Sequence, residues 1–522
     1  MMTFRYGIDR LTPGLALDIS RGKLHAVITA EVAARIQRNR AGVEQIVSGR
    51  KIVYGINTGF GPLCTTLISD EDTRKLQHNL LLSHAVGVGD IIPVEISRLM
   101  MILKVHSLAM GYSGISLNTI DRICWHIEQN IIPCVPGQGS VGASGDLAPL
   151  AHLFLPLIGY GRVFYHGETV PAADFLSMNG LSPLELGPKE GLALINGTQF
   201  IAAHAVQFAE RFQNCLDHAD IVAAMNLEAM LGSVKAFDPD LHALRPYEGT
   251  QYVAERMRTL IGDSEIVQSH RNCSRVQDPY SLRCIPQVHG ASRNAYLHLK
   301  QLLSTELNSV TDNPIVFSKD KAISGGNFHG QPLALPLDYA ALAASELGNI
   351  ADRRIYLSLM DTIEGLPKLL MKETGLNSGF MIPQYTTAAL ASENKSLCFP
   401  ASADSIPTSL GQEDHVSMGS ISARKALQIV DNLEKILGIE LFCAAQGFDF
   451  RKPLKSGPLI NACHEHLRQS IPHIDQDVFL GDYIQSAIQI VQQRELTSLT
   501  SALALEMKTD FKNETHELFG IY

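Results

Sequence analysis

Residues 137–150 read Gly137-Gln138-Gly139-Ser140-Val141-Gly142-Ala143-Ser144-Gly145-Asp146-Leu147-Ala148-Pro149-Leu150, and two architectures compete for them. Gly137, Gly139 and Gly142 satisfy the G-x-G-x-x-G spacing of a dinucleotide-binding turn, with 131–135 as its strand, which would demand a doubly wound α/β sheet. Pro133 and Pro136 interrupt that strand, Pro149 falls where the phosphate-binding helix should run, and no alternation of strand and helix patterns flanks the segment. The other reading centres on Ala143-Ser144-Gly145. If a tight turn presses the amide nitrogen of Gly145 onto the carbonyl carbon of Ala143, an N–C bond closes a five-membered ring and one water leaves. Loss of the Ser144 hydroxyl with its Cα hydrogen, as a second water, then leaves an exocyclic methylene. The product, a methylidene-imidazolone, is an electrophile that no ordinary side chain provides. Gly145 must lack a side chain for its nitrogen to attack from unusual backbone angles. Ala143 lets the turn compress, the neighbouring glycines permit a cramped loop, and Pro149 limits how the chain leaves it.

Outward from this loop the chain reads mainly as helix. Thr29 is placed to cap a helix with Glu31 in its first turn and Val32, Ile36, Val43 and Val47 along one face. A second periodic segment covers about 92–111. Three longer stretches, roughly 198–232, 331–359 and 417–446, are rich in Ala, Leu, Glu and Gln. Helices well beyond a typical globular length predict an elongated bundle whose members bury their faces against one another, with small residues permitting close approach. Strand signals are short: Lys51-Ile52-Val53-Tyr54-Gly55 and Gly161-Arg162-Val163-Phe164. The expected organisation is an N-terminal domain, 1–195, carrying the reactive loops, followed by a long-helix bundle with a C-terminal helical region, 196–522. Unusual residues collect between the helices, at 54–61, 137–149, 272–290, 324–332 and 400–416, where function concentrates.

Composition excludes several classes. The 522 residues carry 43 Lys and Arg against 53 Asp and Glu, a formal charge of −10. With no dense basic run, nucleic acid is not expected as a partner. No apolar run reaches the roughly 20 residues of a membrane span. The opening MMTFRYGIDRLTPG lacks the apolar core of a signal peptide, and nine scattered cysteines fit reduced thiols in a cytoplasm. Cys463-His464-Glu465-His466 is the one cluster that hints at a metal. Adjacent helical positions point apart and no second ligand pair follows, so it reads as a polar helix face and no metal site is expected.

The string GSVGASGDLAPLAH is similar to the prosthetic-group loop of the aromatic amino acid ammonia-lyases and aminomutases, and the similarity continues along nearly the whole chain. Tyr54-Gly55-Ile56-Asn57-Thr58-Gly59-Phe60-Gly61 resembles the family's mobile tyrosine loop. GLALINGTQ (191–199), RVQDPYSLRCIPQVHG (275–290), NSVTDNP (308–314) and GGNFH (325–329) follow in the family's order. The resemblance implies a mainly α-helical fold, a homotetramer whose active sites draw loops from more than one subunit, and no external cofactor. The electrophile would be 4-methylideneimidazol-5-one, formed autocatalytically from Ala143, Ser144 and Gly145. It implies Tyr54 as the base for the β-proton, Tyr280 as support for the ring or the leaving ammonia, and Arg283 as the bidentate clamp on the substrate carboxylate. Asn196 would bond the substrate or the ring carbonyl, Gln277 and Asn313 would add polar contacts, and Phe328 would pack behind the ring.

Two positions bear on the substrate. Ser83-His84 resembles the histidine-type selectivity pair, where phenylalanine-type members carry Phe-Leu and tyrosine-type members His-Leu. An imidazole needs hydrogen-bonding partners at its edge rather than an apolar wall. Gln412-Glu413-Asp414-His415-Val416-Ser417-Met418 is similar to the histidine-type segment that sets a carboxylate against the imidazole. There Glu413 would orient the ring or share in proton removal, while Asp414 caps a helix starting near Ser417. The expected reaction is non-oxidative elimination of ammonia from L-histidine to give urocanate. The alternatives are a phenylalanine or tyrosine ammonia-lyase, an aminomutase, or a non-catalytic scaffold of the same fold. Gln331 stands where several histidine-type members carry an acidic residue, and Leu410-Gly411 where Ala-Asn is common.

Overall fold

The structure, a computed structural model, describes residues 3–49, 53, 55, 56, 58, 70–271, 275–513 and 516–522. The chain divides into two compact units. The first comprises residues 1–207, 301–338 and 400–424, the second 208–300, 339–399 and 425–522.

The first unit is organised around the helix Val94–Ala109, which is buried on nearly every face, Lys104 and His106 included. A helix apolar all round belongs in the middle of a core. Around it lie Pro13–Ser20, Ala30–Ser48 and Leu117–Glu128. Thr29 caps Ala30–Ser48 as its sequence predicts, its hydroxyl accepting from Val32 N at 3.3 Å. Val32, Ile36, Val43 and Ile46 form the buried face, and Val47 is only half-buried.

Strands are short and local. Thr3–Arg5 pairs in parallel with His25–Val27, and Val88–Ile91 pairs antiparallel with Pro136–Gln138. Arg162–Tyr165 forms the expected hairpin with Glu168–Pro171 and also pairs with Ile132–Pro133. No sheet among the described residues exceeds three strands, so the doubly wound architecture is absent from them. A helix does follow the glycine loop, Leu147–Phe154, with Pro149 in its first turn, where the missing N–H costs little. The proposed strand at 51–55 lies largely outside the described residues.

The long helices are Gln199–Ala229, Ile285–Glu306, Gln331–Ser358 and Gly419–Asp449. Pro336 sits inside the third. Within the second unit they bury Phe212, Leu216, Tyr296, Leu347, Leu433 and Leu437. Gly438 allows close approach: a Cβ there would lie 2.7 Å from the Ile488 Cα of the helix Gly481–Gln492. The same core holds a charge network. Asp220 receives Arg256 Nε at 2.9 Å, Arg293 Nη2 at 2.5 Å and His289 Nδ1 at 2.8 Å, and Arg354 Nε meets Glu440 at 2.6 Å. Each buried charge has a counter-charge, the condition under which burial is tolerated.

Candidate active site

The strand Pro136–Gln138 delivers the chain into the glycine loop, and the loop is strained at its centre. Ser144 takes φ 51°, a left-handed value uncommon outside glycine, and Gly142 and Gly145 take 79° and 82°. Gly145 is pressed against Gly197 so closely that a Cβ on it would lie 2.2 Å from the Gly197 carbonyl oxygen. Asp146 N donates to that same oxygen at 2.7 Å. In the other direction, the Ser144 carbonyl accepts from Asn196 Nδ2 at 3.0 Å and from Gly197 N at 3.4 Å. From the far side Met418 N donates to Val141 O at 3.0 Å and Ser420 Oγ to Ser140 O at 2.6 Å. The bend that ring closure requires is thus clamped by backbone and side-chain groups of Asn196, Gly197, Met418 and Ser420.

Asp146 completes the clamp. Its Oδ2 accepts from Phe200 N and Ile201 N, both at 3.0 Å, at the start of Gln199–Ala229, and its Oδ1 accepts from Ser140 Oγ at 3.3 Å. The carboxyl is fully buried, and burial pushes its pKa up to about 7 against those hydrogen bonds.

Glu413 reaches the same spot. Ser144 Oγ donates to Glu413 Oε1 at 2.8 Å, while Thr408 Oγ1 and Ser409 Oγ hold Oε2 at 3.0 and 2.7 Å. A turn through Ser409, Leu410 and Gly411, all with positive φ, folds the glutamate back over Thr408. His84 ends the helix Asp70–His84, with Nδ1 2.9 Å from Ser83 Oγ. Burial holds its imidazole below the ordinary value, opposed by the Leu80 carbonyl and by the Glu413 carboxylate. Ser144, Asn196 and Glu413 are therefore joined by hydrogen bonds within the first unit, with His84 in electrostatic reach of Glu413. The expectation for Asp414 is corrected: the helix begins at Gly419, five residues beyond it, and Ser417 Oγ takes the Gly419 N–H instead.

The remaining expected residues fall into three groups. Asn313 is buried and spends its amide on the 324–329 loop, donating to Ser324 Oγ at 3.1 Å and accepting from Gly325 N at 2.7 Å. Phe328 is half-buried in that loop, beside His329, whose ring stacks on His415 at 5.9 Å. Gln277, Tyr280 and Arg283 belong to the second unit. There Tyr280 is 71% exposed, the Arg283 guanidinium lies 4.6 Å from its ring centroid, and Arg283 Nε donates to Asp278 O at 3.0 Å. Tyr54 lies outside the described residues. In the Cys-His-Glu-His run, His464 faces Asp449 at 3.1 Å and His466 faces Glu495 at 2.5 Å. The two imidazoles serve different carboxylates, as their adjacency on a helix requires.

Sequence reasoning missed Lys104, Asp146, Ser140, Thr408 and Ser409. Only Asp146 carried a signal, its adjacency to the tripeptide. The backbone cradle fits a ring closed from Ala143, Ser144 and Gly145: no side chain intrudes at Gly145, and two N–H donors already hold the Ser144 carbonyl.

Known proteins resemble the chain over nearly its whole length. A family model described as aromatic amino acid lyase matches residues 11–469. The chain is 47% identical to a histidine ammonia-lyase of Natranaerobius thermophilus, over 92% of this chain and 95% of that protein. Among solved structures it superposes on histidine ammonia-lyase from Trypanosoma cruzi with a TM-score of 0.88 and 40% identity, covering 96% of this chain and 95% of that one. The tyrosine aminomutase from Streptomyces globisporus gives a TM-score of 0.91 at 33% identity, covering 98% and 100%.

Proposed function

The chain belongs to the aromatic amino acid lyase family, and from that membership we propose that it eliminates ammonia from L-histidine to give urocanate. The observation that carries the substrate is the pairing of Glu413 with the Ser144 hydroxyl at 2.8 Å, with His84 within electrostatic reach of the same carboxylate. A carboxylate and an imidazole beside the tripeptide suit a polar ring and would leave an apolar ring facing unpaired polar groups.

A methylidene-imidazolone closed from Ala143, Ser144 and Gly145 supplies an electrophilic methylene that makes the substrate amine a better leaving group. The other residues bind and move protons. Loss of the Ser144 hydroxyl removes the donor that Glu413 Oε1 now holds, leaving that oxygen to orient the imidazole or share in taking the β-proton. Thr408 and Ser409 keep Oε2 fixed meanwhile. His84, whose charged form burial disfavours, exchanges a hydrogen bond with the substrate ring. Asn196 and Gly197 polarise the Ser144 carbonyl. Tyr54 takes the base role by resemblance; general-base help of this kind contributes about 10²–10⁴-fold. Arg283 clamps the carboxylate, Gln277 adds a polar contact, Tyr280 supports the leaving ammonia, Phe328 packs behind the ring, and Asn313 holds the loop that carries Phe328.

The active form is a homotetramer with shared sites. In support, Tyr280 and Val276 are widely exposed on the single chain although they flank the carboxylate clamp, and Tyr339, Leu342 and Tyr356 line an exposed apolar stripe along Gln331–Ser358. The compartment is the cytoplasm, and no helix among the described residues is long and apolar enough to cross a membrane. Incubation with L-histidine, L-phenylalanine and L-tyrosine in parallel, following ultraviolet absorbance of the conjugated acid, tests the substrate. Urocanate is expected; cinnamate from phenylalanine with no urocanate from histidine overturns the reading.

A further inference from the structure

Lys104 stands out among the buried groups that the reaction as described does not use. It lies in the middle of Val94–Ala109, 1% exposed, and its Nζ donates to the Asn196 carbonyl oxygen at 2.6 Å. A second buried ammonium, Lys189, is already served by Asp312 Oδ2 at 2.9 Å and Ser113 O at 2.8 Å. Burial pulls Lys104 down to about 7, with Asp312 and Asp146 attracting it and Lys189 repelling it. An ammonium in such a place is costly, and a methionine of similar volume would fill the space more cheaply.

The bond it makes indicates its use. The Asn196 carbonyl and the Gly197 N–H are the two ends of one peptide group. That N–H points at the Ser144 carbonyl oxygen, 3.4 Å away, beside the Asn196 side-chain amide at 3.0 Å. A cation on one end of a peptide strengthens the donor at the other, because hydrogen-bonded dipoles polarise one another in a low-dielectric interior. The Ser144 carbonyl is the carbonyl of the five-membered ring and is conjugated with the methylene. Electron density drawn toward its oxygen makes the methylene more electrophilic.

We propose that Lys104 is a positioning residue for the electrophile, its ammonium fixing and polarising the Asn196–Gly197 peptide that holds the Ser144 carbonyl. The inference rests on the reading of Ala143-Ser144-Gly145 as a ring precursor. The gain comes from charge as well as place, so arginine should substitute where glutamine and methionine do not.

The test compares Lys104→Arg, Lys104→Gln and Lys104→Met with the unaltered full-length chain. Intact mass reports ring closure as the loss of two waters, and mass also follows the rate at which cyanide adds to the methylene. Lys104→Arg should close its ring and react within about threefold of the unaltered rate, while Gln and Met should lose about tenfold or more, the scale of one charge-assisted hydrogen bond. Their kcat should fall with the KM for L-histidine little changed, a split that loosened packing would not give. Should the Met chain fail to unfold cooperatively, Gln, which drops the charge and keeps an N–H donor on a side chain one atom shorter, carries the comparison. Complete ring closure with unaltered cyanide rates in both Gln and Met overturns the role of Lys104 alone. No two-water loss in the unaltered chain overturns the tripeptide reading, and this inference with it.

Discussion

Replacing Glu413 with glutamine removes one charge and almost no volume, and the structure says what should survive. The carboxylate accepts three hydroxyls: Ser144 on Oε1, Thr408 and Ser409 on Oε2. A glutamine can turn its carbonyl toward Thr408 and Ser409 and its amide toward Ser144, whose hydroxyl then accepts instead of donating. The contacts to Thr408 and Ser409 persist, and the one to Ser144 ends with ring closure in either protein, so the fold should lose no more than about 1 kcal/mol, the worth of one weakened neutral hydrogen bond. Turnover should not survive so well. Once the Ser144 hydroxyl has gone, the substrate imidazole meets a neutral amide in place of a carboxylate. A hydrogen bond to a charged group is worth about 1.5–3 kcal/mol, so kcat/KM for L-histidine should fall roughly 10- to 150-fold. Initial rates from urocanate absorbance give the ratio, urea denaturation gives the stability, and intact mass confirms that the ring still forms. A Glu413→Gln enzyme with a closed ring and kcat/KM within about twofold of the unaltered protein, a difference under about 0.4 kcal/mol, would refute the assignment of this carboxylate to the imidazole.

Three further outcomes are expected. Gly145→Ala puts a Cβ 2.2 Å from the Gly197 oxygen at φ 82°; the left-handed backbone alone costs about 1–2 kcal/mol. Urea denaturation should show at least that loss and intact mass no two-water deficit. Ser144→Ala lacks only the hydroxyl that ring closure itself expels, so its unfolding free energy should change by no more than about 1 kcal/mol while urocanate production all but ceases; substantial residual turnover counts against the self-made electrophile. His204, buried with Nδ1 2.8 Å from Phe200 O, is held down to about 4 by burial. Between about 6.5 and about 4 the unfolded chain binds a proton there that the folded chain refuses, so its contribution to stability is lost as pH falls through that window. His204→Gln should therefore shrink the stability difference between pH 7.5 and pH 5.5 by about 1.3 kcal/mol; an unchanged difference would show that the imidazole is not buried neutral.

Much of the fold was legible because helices declare themselves locally. The Thr29 cap, the periodic face of Ala30–Ser48 and the extents of the three longest helices follow from side chains within a few residues of one another. Pro149 was misjudged for the same reason: its tolerance depends on which residue starts the helix, and Leu147 does. Asp414 was misjudged because the chain turns at Met418, at φ 51°, before the helix begins. Thr408 and Ser409 carry no pattern that sets them apart from other loop hydroxyls. They matter because a positive-φ turn brings them under Glu413.

The sequence by itself determined the chemistry. Ala143, Ser144 and Gly145 are consecutive, so the atoms that must bond are never far apart, and the flanking glycines state that the turn is possible. The tertiary structure decided which groups attend the loop. Glu413 lies 269 positions from Ser144, and Lys104 lies 92 from Asn196. Neither partnership has a local cause, since both depend on how separate helices and loops pack. Hydrogen bonds and charges act over a few ångströms of space, not over distance along the chain, so packing chose which carboxylate and which ammonium attend the tripeptide.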